Sequence, residues 1–221
     1  LAGDIVLNEI LFNPFGDESD FVELYNRSEK VIDVAALKLG NTNLLTGVTN
    51  DVTIVSTQHR GFFPGEFLAI TEKKAELVNR YPNADPSAIL EMALPSNNDD
   101  EGEVRLLNKS LEVLDAFHYT EKLQDPLLNF PEGVSLERVN PFSTTGSWHS
   151  AASTVGFATP GLQNSQFVST DDTAGFLSIY PSIFSPDNDG KDDVQVIRTH
   201  VDKAGYLADI YIFDREGRLV R

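Results

Sequence analysis

Short apolar runs separated by turn residues dominate most of the chain. The segments DIVLNEILFNP, DFVELYNRS and KVIDVAALKLGN are rich in β-branched and aromatic residues, and they end in Asn, Pro or Ser. This punctuation predicts β-strands. The segment FFPGEFLAIT adds a turn at Pro64-Gly65, and EVRLLNKSLEVLDAFHY predicts a hairpin that turns at Asn108-Lys109-Ser110. We therefore expect an all-β fold.

One segment, TEKKAELVNRYP, departs from the strand pattern. Thr71 is placed to cap the amino end of a helix, and Pro82 would stop it. The spacing predicts a short surface helix inserted between strands. Four residues carry the helical spacing: Ala75, Leu77, Val78 and Tyr81.

The carboxy-terminal part of the chain is organised differently. After VSLERVN, the segment PFSTTGSWHSAASTVGFATPGLQNS is dominated by small and turn-forming residues, so we expect its few aromatic residues to pin it to the strands. QFVSTDDTAGF then has the composition of a linker, and strand-like sequence follows it. We predict a first domain at residues 1–166, a linker at 167–175 and a partial second β domain at 176–221.

The charge balance excludes two classes of partner. The chain has 17 Lys and Arg residues against 34 Asp and Glu residues, a formal net charge of -17. Such a surface repels phosphate backbones and anionic lipid, so we expect neither nucleic acid binding nor membrane insertion. Cysteine is absent, which excludes disulfides, thiolate nucleophiles and Cys-ligated zinc. The chain begins at Leu1 without an initiator Met, as expected of a processed or trimmed piece.

The acidic segment SPDNDGKDD is the clearest candidate for a metal site. Asp187, Asp189 and Asp193 could supply carboxylate oxygens to calcium around a tight turn at Gly190. It is not an EF-hand, because that register puts Val196 where a bidentate Glu is required, and the Lys within the loop would weaken cation binding. The alternative is a solvated turn between two strands, with Gly190 at positive φ. Of the two interpretations we favour the turn.

Two further acidic loops, at residues 17–20 and 97–101, are typical of solvated surface. A metal-assisted hydrolase would need several such carboxylates to converge together with a base. The proximity of Asp17, Asp99 and Asp187 is therefore the feature that discriminates this alternative in a structure.

No catalytic arrangement is visible in the sequence. The four histidines, at 59, 118, 149 and 200, never have the i, i+4 spacing of a helical zinc pair, and there is no G-x-S-x-G elbow or P-loop. We therefore expect no catalytic residues and no cofactor other than calcium. Trp148, the one tryptophan, would either stack on a sugar or plug the end of the fold, and we favour the plug.

Six short motifs follow one another along residues 3–165: Asn8-Glu9-Ile10, Glu23-Leu24-Tyr25-Asn26, Pro64-Gly65, Val113-Leu114-Asp115, Ser135-Leu136-Glu137-Arg138 and Ala158-Thr159-Pro160-Gly161. In this order they resemble the lamin tail domain, which occurs in nuclear lamins and on secreted or surface proteins of bacteria. The resemblance implies an immunoglobulin-like β-sandwich, here with a short helical insertion, that serves as a binding or spacing module without catalytic residues. The chain lacks the long coiled coil of the lamins, which argues against a nuclear-envelope role.

The stretch IYPSIFSPDNDGKDDVQVI, followed by ADIYIFDREGRLVR, resembles the first half of an immunoglobulin-like module of secreted and gliding-associated proteins of Bacteroidetes-type bacteria. A complete sandwich has about seven strands in about 100 residues, more than residues 176–221 provide. Because two or three strands rarely persist alone, we expect this part to pack on the first domain, to pair with another copy or to be poorly ordered. Asp172-Thr173-Ala174 matches a short O-glycosylation tripeptide of the same bacteria, which hints at export.

Together these features predict a non-catalytic binding, spacing or assembly module of a secreted or cell-surface bacterial protein. Its partner would be a protein or a glycan, or another copy of the chain held through the incomplete second domain. Two alternatives stay open: a calcium-dependent carbohydrate-binding module, and an accessory domain of a metal-assisted hydrolase.

Overall fold

The computed structural model describes residues 2–126, 128–143, 147–168, 177–181, 183–187, 189–190 and 193–199, together with positions 211, 212, 218 and 220. Contacts within the chain divide it into two units, Leu1–Phe167 and Val168–Arg221, and each is described by itself. The division falls one residue beyond the end of the predicted first domain at 166. Most of the predicted linker at 167–175 lies outside the described residues, as does the tripeptide at 172–174.

The first unit is built from short strands and one helix in its described part. Helix α1, Lys74–Arg80, lies between β7 and β8 of the following strands. In chain order these are β1 Ile5–Leu11, β2 Phe21–Asn26, β3 Ile32–Asp33, β4 Leu37–Thr42, β5 Thr49–Ile54, β6 Gly61–Phe62, β7 Phe67–Thr71, β8 Ile89–Glu91, β9 Glu101–Asn108, β10 Val113–Thr120, β11 Leu136–Arg138 and β12 Trp148–Ser150.

The strands form two main sheets. The six-stranded sheet has the order β12-β11-β1-β2-β7-β8, and its pairs are antiparallel except for β7 with β8. The four-stranded sheet has the order β10-β9-β4-β5 and is antiparallel throughout. The predicted hairpin is confirmed, because β9 and β10 pair along their length on either side of the turn. Strands β3 and β6 form a separate short pair.

One hydrophobic core joins the two sheets. Alternate residues of each strand point to the same side, so each sheet contributes one apolar face. Both faces belong to a single cluster of buried side chains, and the described first unit is therefore a β-sandwich, as the sequence predicted. The six-stranded sheet contributes Ile5, Leu7, Val22, Leu24, Leu68, Ile70 and Leu136, and the four-stranded sheet contributes Leu37, Leu39, Val104, Leu106, Phe117 and Tyr119.

The six-stranded sheet is also covered on its outer face. Helix α1 buries Leu77, and the following Tyr81 is buried beside Phe21 of β2 and Ala69 of β7. The predicted helical insertion is confirmed, but Thr71 is not its cap. Thr71 ends β7 with its hydroxyl bonded to a backbone carbonyl, and the helix begins after Lys73 without a side-chain cap.

The described part of the second unit contains one pair of antiparallel strands, β13 Leu177–Tyr180 and β14 Val196–Thr199. Ile179 pairs with Ile197 and Tyr180 with Val196, so apolar side chains meet across the pair. This two-stranded sheet fits the predicted partial β domain. No helix among the described residues combines the length and apolarity needed to cross a bilayer.

Candidate functional site

The three predicted calcium ligands lie together. Asp187, Asp189 and Asp193 each place one carboxylate oxygen within 4.8 Å of the others, and they are the one such group of three found among the described residues. The backbone N–H of Asp189 donates to Asp187 Oδ1, and that of Gly190 donates to Asp193 Oδ2 at 2.7 Å. Gly190 has φ of +84°, which confirms the predicted tight turn.

This arrangement fits calcium chemically. Calcium takes about 6 to 8 oxygen ligands at about 2.3–2.6 Å, so ligand oxygens up to about 5 Å apart can share one ion. Three carboxylates offer oxygens of the right kind, and Asp187 and Asp189 are exposed to solvent. The loop serves equally as a solvated turn, because backbone N–H groups already satisfy two of its carboxylates. The residues at 188, 191 and 192 lie outside the described part of the chain.

In the first unit, the two acidic loops singled out in the sequence meet around Asp20. The side chain of Asn97 donates to Asp20 Oδ2 at 3.3 Å, which joins the loop at 17–20 to the loop at 97–101. A cleft of about 450 Å³ lies between them, and Glu72 is part of its lining. The sequence analysis asked whether Asp17, Asp99 and Asp187 lie close together. The loops that carry Asp17 and Asp99 converge, and Asp187 belongs to the other unit.

Asp20 is the most perturbed carboxyl group of this cleft. The pKa of Asp20 is raised to about 7: burial is the main cause, the hydrogen bond from Asn97 opposes the shift, and the negative charges of Asp99 and Glu72 add to it. A carboxyl group that titrates near neutral pH in a cleft is typical of binding and catalytic sites, although structural groups share the property.

Three glutamates lie side by side on the outer face of the six-stranded sheet. Glu9 of β1 pairs with Glu137 of β11 on one side and with Glu23 of β2 on the other. All three residues have 0% of their surface exposed. The sequence analysis missed this cluster because a Glu in a strand is ordinarily a solvent-facing residue. The available signal was that Glu9 and Glu23 interrupt strands that are otherwise mainly apolar, whereas β11 gives no such signal for Glu137.

The segment 157–166, which we name the covering segment, supplies most of the donors to these glutamates. Each carboxyl group accepts a hydrogen bond from a backbone N–H of the covering segment. The N–H of Thr159 donates to Glu9 at 2.9 Å, that of Gly161 to Glu23 at 2.6 Å and that of Gln166 to Glu137 at 2.8 Å. Side chains add Ser165 to Glu137, Ser135 to Glu9 and Asn8 to Glu23. The cluster therefore attaches the covering segment to the sheet.

The hydroxyl of Thr159 lies between two of the carboxyl groups. Its Oγ1 is 2.9 Å from Glu9 Oε2 and 2.9 Å from Glu137 Oε1. A hydroxyl carries one hydrogen, so it can donate to only one of these oxygens. For each contact to have its own hydrogen, the other carboxyl group is protonated and donates to Thr159. The surroundings of the two carboxyl groups match, because one oxygen of each accepts two hydrogen bonds and the other oxygen faces Thr159 Oγ1. The raised pKa of Glu9 assigns the proton to Glu9.

Burial and mutual repulsion explain the same protonation state. The pKa of Glu9 is raised to about 8: burial is the main cause, the charge of Glu137 contributes, and hydrogen bonds from Ser135 and Thr159 limit the shift. Burial and the charge of Glu9 also raise the pKa of Glu23, against the hydrogen bonds that it accepts from Asn8 and Gly161. At neutral pH the cluster therefore retains at least one proton.

Trp148 plugs the edge of the sandwich, as the sequence analysis favoured. Its ring stacks on Phe117 with centroids 3.7 Å apart, and the guanidinium of Arg138 lies 5.0 Å from its ring centroid. Arg138 is itself held by Asp115 at 2.6 Å and by the carbonyl of Leu7 at 2.7 Å. Trp148 thus packs between the two sheets.

A small aromatic cleft of about 230 Å³ opens on the outer face beside the covering segment. The rings of Tyr25 and Phe67 lie 4.8 Å apart in its wall, and Gln163 and Asn164 add amide groups. Asn164 is buried, accepts from Asn8 at 2.7 Å and donates to two backbone carbonyls. The aromatic faces and the Gln163 amide offer stacking and hydrogen bonding to a small polar ligand, while Asn164 shapes the wall of the cleft.

Comparison of the sequence with protein-family models and with curated proteins gave no match.

Proposed function

We propose that the chain is a non-catalytic binding, spacing or assembly module of a secreted or cell-surface bacterial protein. The observation that carries this proposal is the concentration of exposed apolar side chains on the second unit. Large exposed apolar surface on a water-soluble domain marks sites of interaction with other molecules. Besides the paired residues Tyr180 and Val196, the exposed set includes Ile179, Ile183, Phe184, Val194, Tyr211, Ile212 and Val220.

The pairing of β13 with β14 places two of these side chains on one face of the sheet. Tyr180 and Val196 are directly opposite each other, so their side chains lie on the same side of the two-stranded sheet. Tyr180 has 75% and Val196 has 42% of its surface exposed. A sheet of two strands is marginal by itself, and covering this face would stabilise it. The second unit is therefore the part of the chain that we assign to contact.

The first unit supports a structural role. The carboxyl groups of Glu9 and Glu23, whose pKa values are strongly raised, lie under the covering segment and accept hydrogen bonds from it. They therefore hold the fold together and are shielded from solvent. The acidic charge of the chain and the resemblance to lamin tail domains agree with a spacing or assembly module.

Sedimentation velocity of the full chain over a range of concentrations tests the proposal. We expect concentration-dependent association that the double substitution Tyr180→Ser and Val196→Ser abolishes. The matched control, Leu45→Ser and Val48→Ser, removes two exposed apolar side chains of the first unit and should leave association unchanged. A wild-type chain that stays monomeric, or equal loss in both variants, would contradict the assignment of contact to the second unit. Hydrolytic activity that survives repurification would contradict the non-catalytic role.

A calcium-dependent carbohydrate-binding module is the second candidate function. Two observations favour it: the convergence of the three aspartates, and the aromatic cleft at Tyr25 and Phe67. Retention on immobilised glycans, with and without a chelator, tests this function. Tyr25→Ala should abolish retention, whereas Phe130→Ala, which removes an exposed ring elsewhere in the first unit, should not. Retention that is indifferent to both chelator and Tyr25→Ala would contradict it.

A further inference from the structure

The covering segment is held to the sheet by three buried carboxyl groups. Residues 157–166 contain no ionisable side chain, so the segment offers hydrogen-bond donors but no positive charge to the three glutamates beneath it. Thr159 is 3% exposed and Gly161 is buried, so water does not screen their contacts with the carboxyl groups. A second negative charge placed here must be stabilised by these neutral donors alone.

The number of protons in the Glu9–Glu137 pair decides whether all of these contacts can form. With one proton, a complete chain is available: Glu9 donates to Thr159 Oγ1, and the Thr159 hydroxyl donates to Glu137 Oε1. Glu137 Oε2 is then stabilised by Ser165 and Gln166. With no proton, the Thr159 oxygen faces two carboxylates with one hydrogen, and one of the two contacts becomes repulsive.

We propose that the covering segment is a pH-dependent latch, closed while the Glu9–Glu137 pair holds a proton and released when both carboxyl groups are ionised. Release would detach residues 157–166 from β1, β2 and β11 while the core between the two sheets stays packed. The raised pKa of Glu9, about 8, places the transition in the mildly alkaline range.

The surrounding charges give the pair little compensation. Arg138, next to Glu137 along β11, is bonded to Asp115 and to the Leu7 carbonyl. Two other titratable groups lie on the same sheet: Glu23 on β2, and His149 on β12 opposite Glu137. Near the helix, Tyr81 follows α1 and has Glu18 and Arg80 beside it. Asp85 contacts the covering segment, because its backbone N–H donates to the Pro160 carbonyl.

Tyr81 and Asp85 keep their charge states during the transition. The Tyr81 hydroxyl donates to the Gly133 carbonyl, and burial together with the charge of Glu9 raises its pKa well above its ordinary value, so Tyr81 stays neutral. The carboxyl of Asp85 accepts from Ser87, which lowers its pKa, so Asp85 stays ionised. Neither group supplies a positive charge to the pair.

The segment itself is shaped for tight docking. Gly161 has φ of +82°, and a Cβ at this position would come within 2.9 Å of the Asp85 carbonyl oxygen and of the Ala88 methyl group. Only glycine adopts this backbone at no steric cost, so the close approach that lets the Gly161 N–H reach Glu23 depends on it. The covering segment therefore packs closely on the sheet, and its docking depends on the protonation of the carboxyl groups beneath it.

Amide hydrogen exchange of the full chain, read by mass spectrometry between about pH 5 and about pH 9 and corrected for intrinsic exchange rates, tests the latch. Protection of residues 157–166 should fall with rising pH, by up to about tenfold per pH unit for one proton between the ordinary pKa of Glu9, 4.5, and its raised pKa of about 8, and it should level off above that. Protection of β9 in the other sheet should stay high over the same range.

Glu9→Gln is the decisive variant. Its side-chain NH₂ can replace the Glu9 hydroxyl as donor to Thr159, while its carbonyl keeps the acceptor role toward Ser135 and the Thr159 amide. The variant should hold the latch closed at all pH values. Wild-type protection of 157–166 that does not change with pH, parallel loss across 157–166 and β9, or an unchanged pH dependence in Glu9→Gln would each overturn the latch. Should Glu9→Gln fail to fold, the wild-type comparison of 157–166 with β9 still decides.

Discussion

Glu9 and Glu137 share a single hydroxyl donor, because Thr159 Oγ1 lies 2.9 Å from an oxygen of each. The two residues are directly paired across β1 and β11, with the covering segment over them. A shared hydroxyl with one hydrogen requires a second proton in the cluster. Glu9, Thr159 and Glu137 therefore form one hydrogen-bonded network that attaches the end of the first unit to its sheet.

The first prediction concerns Thr159. Thr159→Val keeps the shape of the side chain but leaves buried carboxyl oxygens without their shared partner. We expect a loss of about 1–3 kcal/mol in the free energy of unfolding, measured by urea denaturation at neutral pH. Thr53→Val on the edge strand β5 is the control and should change stability by less than about 0.5 kcal/mol. Equal effects of the two substitutions would contradict the role of Thr159.

The second prediction is that Glu9 makes the protein less stable as pH rises. Its pKa is raised from 4.5 to about 8 in the folded state, so between these values the folded state binds more protons than the unfolded state. The stabilising contribution is therefore complete below about pH 4.5 and is lost as pH rises through about 8. The slope approaches about 1.4 kcal/mol per pH unit for one proton.

Denaturation curves at several pH values check this sign. Asp20 contributes in the same direction because its pKa is raised to about 7, so the informative quantity is the difference between variants. Glu9→Gln should flatten the decline, and Glu29→Gln, at an exposed position, should preserve it. Stability that rises between about pH 5 and about pH 8 in the wild type would contradict the prediction.

The third prediction concerns the buried ion pair of Arg138 and Asp115. Asp115 also accepts the backbone N–H of Leu7 at 2.9 Å, so it joins β10 of one sheet to β1 of the other. Asp115→Ala leaves the Arg138 guanidinium buried without its counter-charge, and we expect a loss of about 3–5 kcal/mol by denaturation. Glu76→Ala breaks the exposed pair with Lys73 and should cost at most about 1 kcal/mol. Comparable losses in the two variants would contradict this account of Asp115.

The fourth prediction concerns calcium. Three converging carboxylates should bind the ion weakly, with a dissociation constant of about 10⁻⁴–10⁻³ M, as in extracellular calcium modules. Calorimetric titration of chelator-treated protein measures this. Asp187→Ala with Asp189→Ala should abolish the heat, whereas Asp99→Ala with Asp100→Ala should not. Absence of heat in the wild type would leave the loop as a solvated turn.

The strands were predictable because their signal is local. Apolar residues at alternate positions and turn residues at strand ends specify β1, β2 and β7 without knowledge of their partners. The start of α1 was less predictable. Thr71 has the chemistry of a helix cap, but it ends β7, and the cap position of the helix is Lys73, two residues later. The Thr71 hydroxyl bonds the carbonyl of Asp20, a partner distant in sequence.

The candidate sites also differ in how far the sequence predicts them, according to whether their residues are close in sequence. Asp187, Asp189 and Asp193 are close in sequence, so their meeting around Gly190 could be anticipated. The Glu9, Glu23 and Glu137 cluster depends on the pairing of β1 with two distant strands and on the docking of the covering segment, so composition and spacing do not reveal it. The meeting of the two acidic loops at Asp20 and Asn97 likewise arises from tertiary packing.

The most direct measurement is a pH titration of the Glu9 carboxyl carbon by NMR, with Glu9→Gln used to assign its resonance. A shared proton under the covering segment predicts that Glu9 is mostly protonated at neutral pH and titrates with a midpoint near 8. A midpoint near the ordinary value of 4.5 would show that Glu9 is ionised beside Glu137, and would contradict both the shared proton and the structural role assigned to these glutamates.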